Sequence, residues 1–189
     1  FFAILSAGGA ALNSDGMWVG SLTNFDEGEG YWMIVSEDLS FSYETGSMAR
    51  TDIRSYVETL PTGSAFQVAQ SPQQAFYFVG DITLDEGDIE AGDWLLSYNG
   101  NVLTGIRQWQ DVMIDIPAMG VGDNKQTVGY FEEGDIPTFK LLKQSTGDLI
   151  SLSGDIPSWT TNGVYVLSSL TEMNLIPDDY ILSNAYPNP

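Results

Sequence analysis

Trp94-Leu95-Leu96-Ser97-Tyr98-Asn99-Gly100-Asn101-Val102-Leu103-Thr104 is the stretch that decides the fold class. Two apolar runs flank Asn99-Gly100, and Asn-Gly tolerates the positive φ that a tight type I′ turn requires. A β-hairpin is predicted here. Upstream, Phe66-Gln67-Val68 and Ala75-Phe76-Tyr77-Phe78-Val79 read as strands on either side of Ser71-Pro72. Downstream, Val112, Ile114 and Ile116 alternate with Met113 and Asp115, the period-2 mark of a strand. Further strands are expected over 127–131, 138–143, 149–152 and 164–170. Short strands with turn signals every 8–12 residues or so point to a sandwich.

The front of the chain follows the same rules. Ala10-Ala11-Leu12 and Met17-Trp18-Val19-Gly20-Ser21-Leu22 read as a hairpin over a four-residue turn, Asn13-Ser14-Asp15-Gly16. Tyr31-Trp32-Met33-Ile34-Val35 is a dense apolar strand, and Leu39, Phe41 and Tyr43 alternate with serines. The stretch after Thr45 differs. It carries Arg50 and Arg54, places Ile53, Tyr56, Val57 and Leu60 at helical spacing, and closes on Pro61-Thr62-Gly63. The expectation is all-β with little helix: two Ig-like, β-sandwich units joined by a short linker. Residues 1–44 form a partial β-unit open to completion by another chain, 45–64 the linker, 65–170 a β-sandwich domain and 171–189 a C-terminal linker.

Composition narrows the chemistry. The chain has 189 residues, 43 % of them hydrophobic, with neither histidine nor cysteine. Ser-His-Asp and Cys-His nucleophile systems cannot be built from it, nor can the usual zinc sites or disulfides. No enzymatic activity is expected. Six Lys+Arg stand against 26 Asp+Glu, a net charge of −20, although charged residues are only 17 %. Such a surface repels phosphate backbones and anionic membranes, so no nucleic-acid partner is expected. No stretch approaches the roughly 18 apolar residues that span a bilayer, so no membrane insertion is expected either.

Gly-Asp recurs along the second unit, from Gly80-Asp81 to Gly154-Asp155, and twice extends to Gly-Asp-Ile-Pro, at 134–137 and 154–157. Glycine supplies the turn geometry and aspartate ties the turn to its own backbone, which accounts for the pattern without a ligand. The densest acidic run, between Asp81 and Asp93, offers Asp85, Asp88 and Asp93 as calcium candidates, because calcium favours hard oxygens on a glycine-rich loop. No other cofactor is expected. Among the tryptophans, Trp32 and Trp94 sit in apolar strands and are expected in the core; Trp18, Trp109 and Trp159 are open between core and a sugar-stacking platform. Phe1, Phe2, Ile4 and Leu5 form an apolar strand at the first residues, read as a processed or truncated end. Its unpaired edge is a candidate for self-association.

The last residues, Ile181-Leu182-Ser183-Asn184-Ala185-Tyr186-Pro187-Asn188-Pro189, resemble the linker that precedes the C-terminal sorting domain of type IX secretion cargo in Bacteroidota-like bacteria. Met17 to Leu22 with Gly30-Tyr31-Trp32, Gln73 to Phe78, and Gly134 to Lys140 are similar to Ig-like modules found upstream of such signals. The resemblance implies secretion to the cell surface, a sorting domain beyond the linker, and service as a stalk, spacer or adhesive part. The expected function is an extracellular, non-catalytic structural or adhesive surface protein that self-assembles by β-strand exchange as a homo-oligomer or polymer. The alternative is an ancillary carbohydrate- or calcium-binding module of a larger secreted enzyme, with a surface polysaccharide as candidate partner.

Overall fold

Among the described residues strand alternation and glycine turns build three sheets. The structure, a computed structural model, describes residues 2–38, 40 and 66–173. Phe1, the alternation through Leu39, Phe41 and Tyr43, the 45–64 linker and the Tyr-Pro-Asn-Pro segment lie outside the described residues. In chain order the strands are β1 Ala3–Ser6, β2 Gly9–Ser14, β3 Met17–Val19, β4 Trp32–Ile34, β5 Gln74–Val79, β6 Ile82–Thr83 and β7 Trp94–Asn99. They continue as β8 Val102–Gln108, β9 Ile114–Met119, β10 Thr138–Leu142, β11 Leu149–Ser153, β12 Val164–Leu167 and β13 Leu170–Glu172. The fold is all-β and sandwich-like, and among the described residues the only helical element assigned end to end is a 3-10 turn at Lys125–Thr127.

Sheet order is β3-β2-β1-β4 at the N-terminus, β6-β13-β11-β10-β7-β8 in the largest sheet, and β12-β5-β9 between them. The pairs β12–β5 and β13–β6 are parallel, the others antiparallel. All six residues of β5 are buried, because the strand is covered on both faces. Ala75, Tyr77 and Val79 pack with Leu95, Phe139, Leu141 and Leu152 of the six-stranded sheet. Phe76 and Phe78 pack on the opposite side with Ala3, Leu5, Ala10 and Leu12. The N-terminal sheet therefore shares a core with the rest of the chain.

That contact is close. Gly20 has φ +119°, and a Cβ there would run into the Ala10 carbonyl oxygen and lie 2.9 Å from the Phe78 ring. A polar bolt runs through the same seam. Arg107 on β8 donates to the Asp115 backbone oxygen (2.9 Å), to the Asp115 carboxylate (2.9 Å) and to the Gly8 carbonyl (2.6 Å). Ser21 donates to both carboxylate oxygens of Asp115 through its N–H and its hydroxyl. Asp115 is fully buried. Desolvation pushes its carboxyl above the ordinary range, against the pull of Arg107 and the Ser21 hydrogen bonds.

Local expectations meet several corrections. The first hairpin turns on Asp15-Gly16 alone, with φ of 51° and 88°; Asn13 and Ser14 belong to β2, since two positive-φ residues complete a I′ turn. In the deciding hairpin Asn99 is the last residue of β7, opposite Val102. Gly100 has φ +57° and Asn101 is not positive, so the turn carries glycine at its first central position, the II′ pattern. Asn99 is held back because its amide donates to Gly129, Tyr130 and Asp135. Phe66-Gln67-Val68 is not a strand; Phe66 and Val68 lie over Trp94, Leu96, Ile106 and Leu142 on the outer face of the six-stranded sheet. The 127–131 stretch leaves the 3-10 turn, and its Phe131 makes one isolated bridge to Gly120. Over 164–170 there are two strands in two sheets, not one.

Candidate functional site

The N-terminal sheet sorts its residues by register. Ala3 pairs with Leu12 and Leu12 with Val19, and these face Phe76 and Phe78. One step along, Asn13 pairs with Trp18, and the Asn13 N–H donates to the Phe2 carbonyl at 2.9 Å. Phe2, Asn13 and Trp18 thus make a cross-strand row on the opposite, outer face. The Phe2 N–H donates to Ile34 at 2.8 Å, which sets Val35 beside this row on the β4 side. A second outer row pairs Ile4 with Ala11 and with Met33. Phe2, Trp18 and Val35 are 43 %, 46 % and 45 % exposed, whereas Ile4 and Ala11 beneath them are buried.

The N-terminal candidates therefore divide. Phe1 lies outside the described residues. Leu5 is buried against the central sheet, Ile4 is buried on the outer face, and Phe2 is exposed. β1 has β2 on one side and β4 on the other, so the edge expected to await another chain is filled within this one. The reason is β4: its Trp32, Met33 and Ile34 take up the ladder opposite Leu5, Ile4 and Ala3.

The calcium candidates do not converge. Asp93 is buried, with its carboxylate already satisfied by Lys143 Nζ at 2.8 Å and by the Glu90 and Gln144 N–H groups, each at 2.9 Å. Asp88 is exposed and offers its backbone oxygen to the same ammonium at 2.7 Å. The Asp85 N–H donates to Glu172. Among the described residues no group of three or more acidic side chains is placed to hold a metal ion.

Instead, Asp93 belongs to one of two turns built alike. In Glu90-Ala91-Gly92-Asp93 and Glu132-Glu133-Gly134-Asp135 the aspartate accepts the N–H of the glutamate three residues before it, at 2.9 Å in both. Each turn clasps a tryptophan by the same pair of backbone bonds. Gly92 donates to Trp109 and Trp109 to Asp93; Gly134 donates to Trp159 and Trp159 to Asp135. Trp109 and Trp159 are consequently buried, as is Trp94. Contrary to the expected core position, Trp32 is 43 % exposed: β4 is a three-residue strand at the edge of its sheet among the described residues. The two open tryptophans, Trp18 and Trp32, both belong to the N-terminal sheet.

At one end of the sandwich, loops carrying Gln73, Asp123, Glu132, Glu133, Trp159 and Thr161 border an open cleft of about 410 Å³. Glu133 accepts the Thr161 N–H at 2.9 Å and Gln73 accepts the Thr161 hydroxyl at 2.6 Å. Trp159 is only 2 % exposed, so the cleft presents rim carboxylates and not an aromatic face. Deeper in the core, burial pushes the Tyr77 phenol far above its ordinary range, with Tyr165 adding to the shift. The hydroxyl stays protonated and donates to the Pro157 carbonyl at 3.1 Å.

No family model, no curated protein and no solved structure matches this chain. The protein class rests on its own geometry: an all-β, sandwich-like arrangement of three sheets among the described residues, with Phe2, Trp18 and Val35 exposed on the outer face of the N-terminal sheet. Sequence reading missed the Arg107–Asp115 bolt and the outer-face row. An arginine and an aspartate inside apolar strands were the available signal for the first. The second needed the register of the first hairpin.

Proposed function

We propose that this chain is a non-catalytic module of an extracellular surface protein, a structural and adhesive part that works by contact through the outer face of its N-terminal sheet. One observation carries the reading. Phe2, Trp18 and Val35 stand open in a row without an ionisable group, on a chain of net charge −20. Large apolar side chains left open together mark a contact surface. The lack of histidine and cysteine favours contact over nucleophilic chemistry. Extracellular placement rests on the resemblance around Tyr186-Pro187-Asn188-Pro189, and the two-unit Ig-like organisation on strand and turn spacing and on the resemblance of Met17 to Leu22, Gly30 to Trp32, Gln73 to Phe78 and Gly134 to Lys140. Strand exchange through Phe1, Phe2, Ile4 and Leu5 is not part of the proposal, since β1 has a neighbour on each side.

The test compares the wild-type chain with the Phe2→Ser/Trp18→Ser double variant. Retention is measured on intact bacterial cells and on immobilised copies of the chain itself. The double variant should lose about tenfold in retention on at least one of the two surfaces, a difference of about 1.4 kcal/mol. Far-ultraviolet circular dichroism and melting temperature should be unchanged, because both side chains are surface groups. Equal retention of the two proteins on both surfaces removes the reading.

A further inference from the structure

We infer that the outer face of β1–β3 is a platform for an uncharged, extended polysaccharide, with Phe2 and Trp18 stacking on alternate sugar rings and Asn13 hydrogen-bonding between them. The inference rests on the contact reading above and names the occupant of that face. Phe2 lies in line with β1, Asn13 on β2 and Trp18 on β3, so the two aromatic side chains are two strand spacings apart. At about 4.8 Å per spacing the separation is roughly 9–10 Å. Alternate rings of an extended β-linked glycan, which present the same face, repeat at a closely similar distance. Stacking needs flat, open aromatic surface, and the two side chains are 43 % and 46 % exposed.

The polar group between them is held in place. Asn13 Oδ1 accepts the Gly16 N–H at 2.9 Å, across the Asp15-Gly16 turn. That bond determines which end of the amide is oxygen. Its Nδ2 is left without a protein partner among the described residues, a donor in reach of sugar hydroxyls. Ile4 and Ala11 in the adjacent outer row are buried, so the contacts open to a ligand are those of Phe2, Asn13 and Trp18.

Charge selects among occupants. An anionic polysaccharide, or a second copy also carrying −20, is repelled by the chain as a whole. A basic protein would be drawn to the acidic surface, not to a row with no ionisable side chain. A neutral glycan meets neither force, and its hydroxyl-rich edges and apolar C–H faces match an amide flanked by aromatic rings.

The experiment is affinity electrophoresis of the chain in gels containing neutral β-linked polysaccharides, hydroxyethyl cellulose and glucomannan, with dextran sulfate as the anionic control. Sedimentation velocity of the chain alone runs alongside. At least one neutral polysaccharide should retard the wild type, and dextran sulfate should not. Trp18→Ser and Phe2→Ser should each weaken the apparent affinity about tenfold, Trp18→Phe should keep most of it, and Trp32→Ser should leave it unchanged. Raising the salt should not weaken retardation, since no ion pair is involved. Absence of retardation by both neutral polysaccharides overturns the inference, as does retardation that Trp18→Ser leaves intact. Self-association that Trp18→Ser abolishes, without retardation, makes a second copy the occupant: the polysaccharide is then wrong and the contact reading stands. With neither retardation nor self-association, the polysaccharide is wrong and the contact reading is decided by cell retention alone.

Discussion

Among the described residues the β10-β7-β8 part of the six-stranded sheet carries apolar cover on both faces, whereas the outer face of the N-terminal sheet stays open at Phe2 and Trp18. In the first, Leu95, Phe139 and Leu141 meet the central sheet, while Trp94, Leu96 and Leu142 on the other side lie under Phe66 and Val68. In the second, Leu5 and Leu12 meet Phe76 and Phe78, but Phe2 and Trp18 remain open. Both sheets are written in the same apolar vocabulary. The difference teaches that alternation marks which residues share a face, and distant chain decides whether that face is covered.

The largest way to break the comparison is to cut the bolt between its two halves. Asp115→Ala leaves the Arg107 guanidinium buried beside an empty space and frees the Ser21 N–H and hydroxyl. A loss of about 3–5 kcal/mol in unfolding free energy is expected from urea titration. Amides of β1 and β2 should lose hydrogen-exchange protection before those of β7 and β10. Uniform loss in both sheets would mean that they unfold as one unit and that the seam is not the weak plane.

Next comes the close approach at the seam. Gly20→Ala must place a Cβ against the Ala10 carbonyl and the Phe78 ring at φ +119°. The chain has to shift there, and about 1–3 kcal/mol of destabilisation should follow. Gly134→Ala has a comparable φ of +93° but open space around it, so it isolates the backbone share of the cost. Equal losses for the two variants would show that the packing against Phe78 is not tight.

The smallest effect is the pH dependence of the same seam. Asp115 has a native carboxyl value raised by burial above its ordinary 3.8. A raised acid contributes stability that is complete below the unfolded value and is lost as pH rises through the folded one. The melting temperature should therefore fall as pH rises above the ordinary carboxylate value. Mutual repulsion among the many other acids acts in the same direction, so Asp115→Asn isolates the seam by removing only its share of the slope. Identical slopes in the two proteins would assign the whole effect to the acidic surface.

How far the candidate site was legible follows from the distance between its parts. The row of Phe2, Asn13 and Trp18 depends on whether the first turn holds two residues or four. Asp15 and Gly16 both taking positive φ resolves that toward two and sets Trp18 opposite Asn13 instead of Ala11, on the same outer face. The acidic run near Asp93 resembles a ligand set along the chain because its carboxylates and glycines are close in sequence. Lys143, fifty positions away, neutralises its most buried member, and nothing local to the run announces that.

By itself the sequence determined the β class, the positions of most strands and hairpins, and the exclusion of histidine and cysteine chemistry. These depend on side-chain alternation and on glycine and asparagine in turns, which act over a few residues. Long-range contacts set the rest: β1 is an interior strand, Trp32 is open while Trp109 and Trp159 are closed, and Phe2 and Trp18 stay exposed in the outer row. Those facts depend on partners far apart in the chain: Arg107 reaches Gly8 across 99 positions, and Asp115 holds Ser21 across 94. Periodicity is a local property, whereas burial belongs to whichever distant surface arrives, and that is why the covered and uncovered faces read alike in the chain.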